Sequence, residues 1–443
     1  MMKITYVSDN RTGMNWGCRA TSIALSELLE EKHKIVHTIY RDEKFRTVIV
    51  GSIFPSFDLV GSIFPPFVES KLYSGNTRNI IKKTAITIDS LLGIRSDYVG
   101  FSPLESAKKL IRYKNRSKIL KEIYDKVCDA DVIVINGEGD LIFNPNRRTV
   151  LFLLMIIELA NLKNKSVFFI NAMVSDCPRF GRNQKMVEAA TQALSKCKGI
   201  ALRDKESVEV LGEIAPSIPC KYIPDALFSW TKYCSPERLM DIRYGSSILP
   251  YGKDYLWGQY DFEEPFVCLG GSSLATKNPK QAIKSYTELA KQLLTLGKKL
   301  YIVDTGDGKF LGEVSRQTGI PLIPIEIPIL MAASILSKAS VFISGRYHPS
   351  IMASLGGTPC IFLGSNSHKT RSLQTVLNYD SVIEYQAIPS KEEIAQIVQR
   401  AREIINEGQA RRNKIQSEVL SLSKDSHSII RFIENNCNNT KMD

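Results

Sequence analysis

Short, bare apolar runs that stop at small or polar residues recur along this chain, and they restrict its fold more than any other feature. Asp131 to Ile135 (DVIVI) stops at Asn-Gly-Glu-Gly, Ser166 to Ile170 (SVFFI) at Asn171, and Gly199 to Leu202 (GIAL) at Arg203-Asp204. Val341 to Ser344 (VFIS) stops at Gly-Arg-Tyr-His, and Cys360 to Leu363 (CIFL) leads into Ser365-Asn-Ser-His-Lys. Runs this short without polar alternation suit strands buried on both faces, as in parallel sheets covered by helices. Helical spacing fills the gaps. Ala20, Ile23, Ala24 and Leu28 follow the opening strand Ile4 to Val7. Later, Asn278-Pro279 opens a helix with Ile283, Tyr286, Leu289, Ala290, Leu293 and Leu294 on one face, and Gly297 closes it. The alternation predicts an α/β protein with parallel sheets.

A chain of 443 residues exceeds one ordinary core, so two doubly wound domains facing across a cleft are expected. The first spans 1–230, with an insertion at about 41–105. Inside that insertion Val50-Gly-Ser-Ile-Phe-Pro-Ser-Phe57 recurs as Val60-Gly-Ser-Ile-Phe-Pro-Pro-Phe67, which reads as a local loop duplication. Residues 231–264, rich in Tyr, Pro, Gly and Ser, are the expected linker, and 265–390 the second domain. Residues 391–443 are expected to be C-terminal helices opened by the capping box Ser390-Lys-Glu-Glu393, with a tail frayed from Asn435.

The net charge of +12 admits nucleic acid, anionic membrane or anionic substrates as partners. The basic residues lie scattered at Lys82-Lys83, Lys108 to Lys121, Arg147-Arg148 and Arg411-Arg412-Lys414, with no stripe interleaved with aromatics, so nucleic acid is not expected. A solvated surface is the plain reading, and peripheral contact with the inner face of the membrane the sharper one. Nine scattered cysteines without a CxxC pair predict neither a disulfide framework nor a zinc site, and so a reducing cytosol. MMKITYVSDN leads straight into a strand pattern with no signal-peptide core, and the longest apolar run, Val150 to Ile157, is far short of the ~20 residues of a membrane span. A cytoplasmic location follows, membrane-peripheral at most.

Arg346 and His348 are placed at the carboxyl end of a strand, where open α/β sheets bind ligands. A guanidinium fork suits phosphate or carboxylate, and an imidazole can deliver a proton near neutral pH. The plainer alternative is a structural arginine with a helix-capping histidine. At the next strand end, Lys369 could pair with a phosphate and His368 could donate beside it, or the segment is a polar loop capped by Ser367. In Asn136-Gly137-Glu138-Gly139-Asp140, the glycines would let backbone amides approach a ligand while Glu138 or Asp140 serves as base; a structural turn competes. Arg203-Asp204 follows the strand-like GIAL, and Asp225 follows Tyr222-Ile-Pro; an arginine–aspartate pair holding loops together is the commoner use of such charges. Asn15-Trp-Gly17 could present amides to an anion. No dinucleotide fingerprint, Walker A motif, HExxH, Ser-His-Asp set or metal-spaced cluster is visible, so neither a Rossmann dehydrogenase nor metal chemistry is expected.

These segments resemble the polysaccharide pyruvyl transferase family. The likeness rests on Asn15-Trp-Gly17, Asn136-Gly-Glu-Gly139, Ala201-Leu-Arg203-Asp-Lys-Glu-Ser207, Ile223-Pro-Asp225, and above all Ser344-Gly-Arg-Tyr-His348 with Gly357-Thr-Pro359 and Asn366-Ser-His-Lys369. They stand in family order over roughly residues 3 to 380. The resemblance implies two Rossmann-like domains in the GT-B arrangement, the first on the acceptor side and the second on the donor side. It implies transfer of pyruvate from phosphoenolpyruvate, without a cofactor, onto a sugar of a cell-surface polysaccharide or capsule, or of its lipid-linked precursor. By motif, Arg203 and Arg346 would hold the donor's phosphate and carboxylate, and His348 would be the general acid; His368, Lys369, Asn15, Gly17 and Gly137 are the further donor-side candidates. Cys18-Arg19 departs from the family, many of whose members carry an acidic residue there. A GT-B glycosyltransferase using a nucleotide sugar is the rival reading, with Asp304 or Glu326 as ribose partner; a non-catalytic subunit of a polysaccharide assembly complex is a second.

Overall fold

The structure, a computed structural model, describes residues 1–41, 43, 99–116, 118–144, 148–178, 181–234, 260–307 and 309–438. The repeat at 50–67 and most of the expected linker lie outside the described residues.

Among the described residues, twelve strands form two six-stranded sheets. The first is built from β1 (Lys3–Asp9), β2 (Lys34–Tyr40), β3 (Val132–Ile142), β4 (Ser166–Ser175), β5 (Gly199–Leu202) and β6 (Lys221–Tyr222). The second comprises β7 (Phe266–Gly270), β8 (Lys299–Val303), β9 (Leu322–Ile323), β10 (Val341–Ser344), β11 (Cys360–Leu363) and β12 (Glu384–Tyr385). Their orders are β2-β1-β3-β4-β5-β6 and β12-β11-β10-β7-β8-β9. Every strand pairing within the two sheets is parallel. Each order reverses once, between β1 and β3 in the first sheet and between β7 and β10 in the second. Crevices open at such reversals. The Asn-Gly-Glu-Gly motif rides on β3 and Gly-Arg-Tyr-His follows β10, so both motifs stand at switch points.

Two expected strand ends are corrected. β3 does not stop at Ile135 but runs through Asn-Gly-Glu-Gly to Ile142, and β4 runs past Asn171 to Ser175. Glu138 and Asn171 take left-handed φ values of 41° and 52°, so each strand turns locally and then resumes pairing. The β3–β4 register shifts between Glu138 and Leu141, as an irregular bulge would shift it. Local sequence reads such a residue as a stop, whereas pairing with neighbours on both sides carries the strand on.

Apolar burial explains the layers. Val134, Phe168 and Ile170 on one face of the first sheet and Ile133, Val167 and Phe169 on the other are nearly fully buried. A large apolar cluster also spans the two domains, joining Trp16, Phe228 and Trp230 to Tyr347, Ile351 and Met352. Val419 and Leu422 of the long helix Lys391–Ser426 belong to the same cluster. That helix bends at Gly408 (φ 56°, ψ −129°), a conformation a side chain strains. Before the bend, Ile394, Ile397 and Ala401 pack on the second domain; beyond it, Thr231 and Ser423 hydroxyls meet at 2.8 Å. The last helix, Ser428–Asn438, places Phe432 edge-on to Phe168 of β4. The C-terminal segment thus returns to the first domain, and residues 435–438 complete a helix where fraying was expected. Among the described residues, no helix is long and apolar enough to cross a membrane.

Candidate active site

Three charged or titratable side chains from separate elements meet where the domains touch. Arg203 follows β5, Asp225 caps the short 3-10 helix Ala226–Tyr233, and His348 lies in the first turn of helix Tyr347–Leu355 after β10. Arg203 Nη1 donates to Asp225 Oδ2 at 3.1 Å and lies 3.0 Å from His348 Nε2, which itself lies 3.2 Å from the same Asp225 oxygen. Arg203 and Asp225 are 1% and 0% exposed in their side chains and His348 10%. The Arg203 guanidinium stacks over the Tyr347 ring, 4.3 Å from its centre. Burial pushes the Asp225 carboxyl up, but His348 and Arg203 outweigh it and hold the group well below the usual carboxylate range. Burial lowers the His348 pKa, against the pull of Asp225 and with the help of Arg203 and Lys369.

A chain of buried hydrogen bonds fixes Asp225 from behind. Its Oδ1 accepts from Thr21 Oγ1 at 2.8 Å and from the Leu227 amide at 3.0 Å. Asn171 Nδ2 reaches Thr21 Oγ1 at 2.9 Å and Asn136 Oδ1 at 3.1 Å, and Asn136 Nδ2 donates to Ser22 Oγ at 3.2 Å. Ser22 in turn donates to Glu138 Oε1 at 3.1 Å, which also accepts from Asn10 Nδ2 at 2.8 Å. The left-handed turns at Asn171 and Glu138 therefore aim polar side chains into one network at the β1–β3–β4 strand ends. Satisfied networks of this kind rigidify a site.

Of the other expected residues, Glu138 is buried in that network, while Asp140 beside it is half-buried. Gly137 packs on its neighbours: a side chain there would meet Ala172 Cβ at 2.5 Å and Phe169 Cζ at 2.7 Å. Gly17 lies against the candidate acid, where an added Cβ would sit 2.8 Å from His348 Cβ and 2.9 Å from Nδ1. Asn15 caps helix Trp16–Glu30 by accepting from the Cys18 amide at 3.1 Å, and its Nδ2 abuts Gly306 of the second domain. Trp16 Nε1 next to it donates across the interface to the Ile325 carbonyl at 2.8 Å.

Arg346 stands apart from the triangle. Its Nε donates to Asp307 Oδ1 at 2.5 Å and Nη2 to the Gly306 carbonyl at 2.7 Å, and its side chain remains 16% exposed. Asp304, weighed for a ribose, accepts from the Gly306 and Asp307 amides and so shapes the turn that holds Arg346. His368 makes a second contact between the domains, with Nε2 3.0 Å from Asp204 Oδ1 and Nδ1 3.5 Å from Glu206 Oε2. It lines a cavity of about 580 Å³ together with Glu206, Glu209, Ser367, Arg371 and Glu384. Lys369 donates to Asn366 Oδ1 at 2.7 Å.

The family likeness puts Arg203 and His348 on one donor, but no sequence pattern gives the direct contact between them. The joining group is Asp225, read as a partner within loops, and its supports Thr21 and Asn171 were not singled out. The available signal for Asp225 is its place in the family motif Ile223-Pro-Asp225, just after β6.

Facing parallel sheets whose switch-point loops meet at an interdomain site define a GT-B fold. The chain belongs to the polysaccharide pyruvyl transferase family, whose model matches residues 76–367, and membership implies a saccharide acceptor. Arg203, Asp225, Arg346 and His348 fall inside that span; Asn15, Gly17, His368 and Lys369 fall outside it. No curated protein matches the chain. Among solved structures, it resembles UDP-GlcNAc 2-epimerase from Neisseria meningitidis bound to UDP-GlcNAc, at 13% identity and a TM-score of 0.54 over 98% of this chain and 100% of that one. It also resembles S. aureus MnaA in a co-structure with UDP, at 13% identity and a TM-score of 0.55 over 99% and 97% of the two chains. UGT2 of Phytolacca americana, complexed with UDP-2fluoro-glucose and pterostilbene, gives 12% identity and a TM-score of 0.50 over 99% of each chain. At these identities the likeness is one of fold.

Proposed function

We propose that this transferase moves pyruvate from phosphoenolpyruvate onto a sugar of a cell-surface polysaccharide or its lipid-linked precursor, forming a cyclic ketal at the inner face of the membrane. The observation that carries the reading is the meeting of Arg203 and His348 at 3.0 Å across the domain boundary, with Arg346 two residues before the imidazole. Arginines bind phosphate and carboxylate through a planar fork, and phosphoenolpyruvate offers both groups. His348 protonates the methylene carbon of the enol, which leaves cationic character at C2. One sugar hydroxyl adds there and gives up its proton to Glu138 or Asp140, of which Asp140 is the more exposed. Phosphate then leaves, and a second hydroxyl of the same sugar closes the ketal and gives its proton to the departing phosphate, so one donor and one diol give one ketal and one hydrogen phosphate.

Two features support this order of events. The buried imidazole has a lowered pKa, and the arrival of an anionic donor beside it favours the protonated form. Arg203 is 1% exposed, so a donor reaches its guanidinium only when the interface opens, and closure then excludes water from the cation at C2. Incubation with phosphoenolpyruvate and saccharide acceptors, read by phosphate release and by the acceptor's gain of one pyruvyl ketal, tests the proposal. Turnover of nucleotide sugars in place of phosphoenolpyruvate overturns it.

A further inference from the structure

We infer that Asp225 is the positioning residue of the acid: its Oδ2 holds the Nε2 proton of His348, so that Nδ1, on the Gly17 side of the ring, is the nitrogen that delivers a proton to the donor. The inference rests on the acid role given to His348 above and specifies how that role is arranged.

The geometry allows Nε2 only two states. Arg203 stays charged, and its Nη1 carries two hydrogens, one directed to Asp225 Oδ2 and one available to Nε2 at 3.0 Å. In the resting neutral imidazole, Nε2 accepts from Arg203 and Nδ1 bears the hydrogen; after Nδ1 has given a proton to the donor, the neutral ring keeps the hydrogen on Nε2, held by Asp225 Oδ2. When the imidazole is protonated, Nε2 becomes a donor, and Asp225 Oδ2 at 3.2 Å is the anion that takes the bond. Nδ1 then carries the proton free to leave: it passes to the methylene carbon of the donor as the enol π pair forms the new C–H bond. Gly17 packs against this side of the ring and bears no side chain to crowd it: a Cβ there would stand 2.9 Å from Nδ1.

The groups facing the ring are few. Asp225 and Arg203 approach from the first domain, Tyr347 lies edge-on at 5.1 Å between ring centres, and Lys369 acts from the following helix. Helix Trp16–Glu30 brings Gly17 against the ring. Asp225 is thus the anion in direct contact with the imidazole. It belongs to the first domain and His348 to the second, so the acid is armed only while the domains are closed.

Two variants test the assignment, read by carbon-13 NMR titration of the His348 imidazole and by the pH profile of kcat with phosphoenolpyruvate. Asp225→Asn removes the anion and breaks the direct ion pair of Arg203; it is expected to lower the His348 pKa further, by about one to three units. The high-pH limb of kcat should move down with it while KM for the donor changes little, and Asp225→Glu should restore part of the shift. Thr21→Val removes one donor to Oδ1, which strengthens the carboxylate as a partner for Nε2, and should move both readouts a smaller distance the other way. A merely structural Asp225 would lower stability or turnover with no displacement of the titration. An unmoved His348 titration in Asp225→Asn overturns the inference, and so does a shift of the same sign in both variants. If Asp225→Asn does not fold, the upward shift in Thr21→Val decides. The titration needs no turnover, so an absence of phosphoenolpyruvate activity in the wild type counts against the proposed function and leaves this result standing.

Discussion

Asp225 Oδ2 and His348 Nε2 stand 3.2 Å apart across the domain boundary, 123 residues apart in the chain. The contact makes the chemistry of His348 depend on how the domains meet.

Replacing His348 by Ala is expected to lower kcat by about 10² to 10⁴, the usual range for a general acid, while donor affinity stays within a few-fold. Steady-state kinetics with calorimetric donor binding check it. Wild-type turnover in the variant removes His348 from the mechanism.

Arg346→Ala should instead weaken donor binding by about tenfold or more, since a charge-assisted hydrogen bond contributes roughly 1.5–3 kcal/mol. Arg346→Lys should recover little, because an ammonium cannot reproduce a fork that spans Asp307 Oδ1 and the Gly306 carbonyl. Unchanged donor affinity in Arg346→Ala would assign that arginine to holding the Asp307 turn alone.

Gly17→Ala places a methyl 2.8 Å from His348 Cβ. The domains must separate slightly to admit it, at about 1–3 kcal/mol by the measure of overpacked cores, and kcat should fall with stability. Gly408→Ala serves as the comparison: nothing stands within 4 Å of an added Cβ there, but the φ of 56° is strained for alanine. It should lower the unfolding free energy by about 1–3 kcal/mol while leaving the His348 titration in place.

Stability should fall as pH drops below about 6.5. Unfolded histidine takes a proton near that value, whereas burial keeps His348 and His33 neutral to lower pH in the folded chain. The unfolded state then binds more protons, so the loss begins at the unfolded pKa and is complete below the lowered folded value. Asp225, held below its ordinary range, acts further down the scale: its contribution is present above the unfolded carboxylate pKa and vanishes as pH falls through the folded one. Urea unfolding between pH 5 and pH 7.5 tests the first part, and His348→Gln should flatten the dependence.

Much of the fold was legible because its central strands are bare apolar runs. DVIVI, SVFFI, VFIS and CIFL announce β3, β4, β10 and β11, and the motifs at their ends mark the switch points. β2 was not named: its KIVHTIY is half-buried at nearly every position, so it carries no such run. The continuations of β3 and β4 were hidden by Glu138 and Asn171, whose left-handed turns look like endings until the neighbouring strands are in place. The capping box at Ser390 gave the start of the long helix, but its return to the first domain depends on Val419 and Leu422 finding an apolar partner far away in sequence. Arg203 and His348 were visible as residue types at strand ends. Their meeting through Asp225 was not, because no local pattern encodes a contact between domains.

Calorimetric titration of the wild-type protein and of Arg346→Ala with phosphoenolpyruvate, beside a nucleotide sugar as competitor, tests the central claim most directly. The account predicts saturable binding of phosphoenolpyruvate, weakened about tenfold or more in Arg346→Ala and undisturbed by the nucleotide sugar. Binding of the nucleotide sugar with no heat from phosphoenolpyruvate would contradict it.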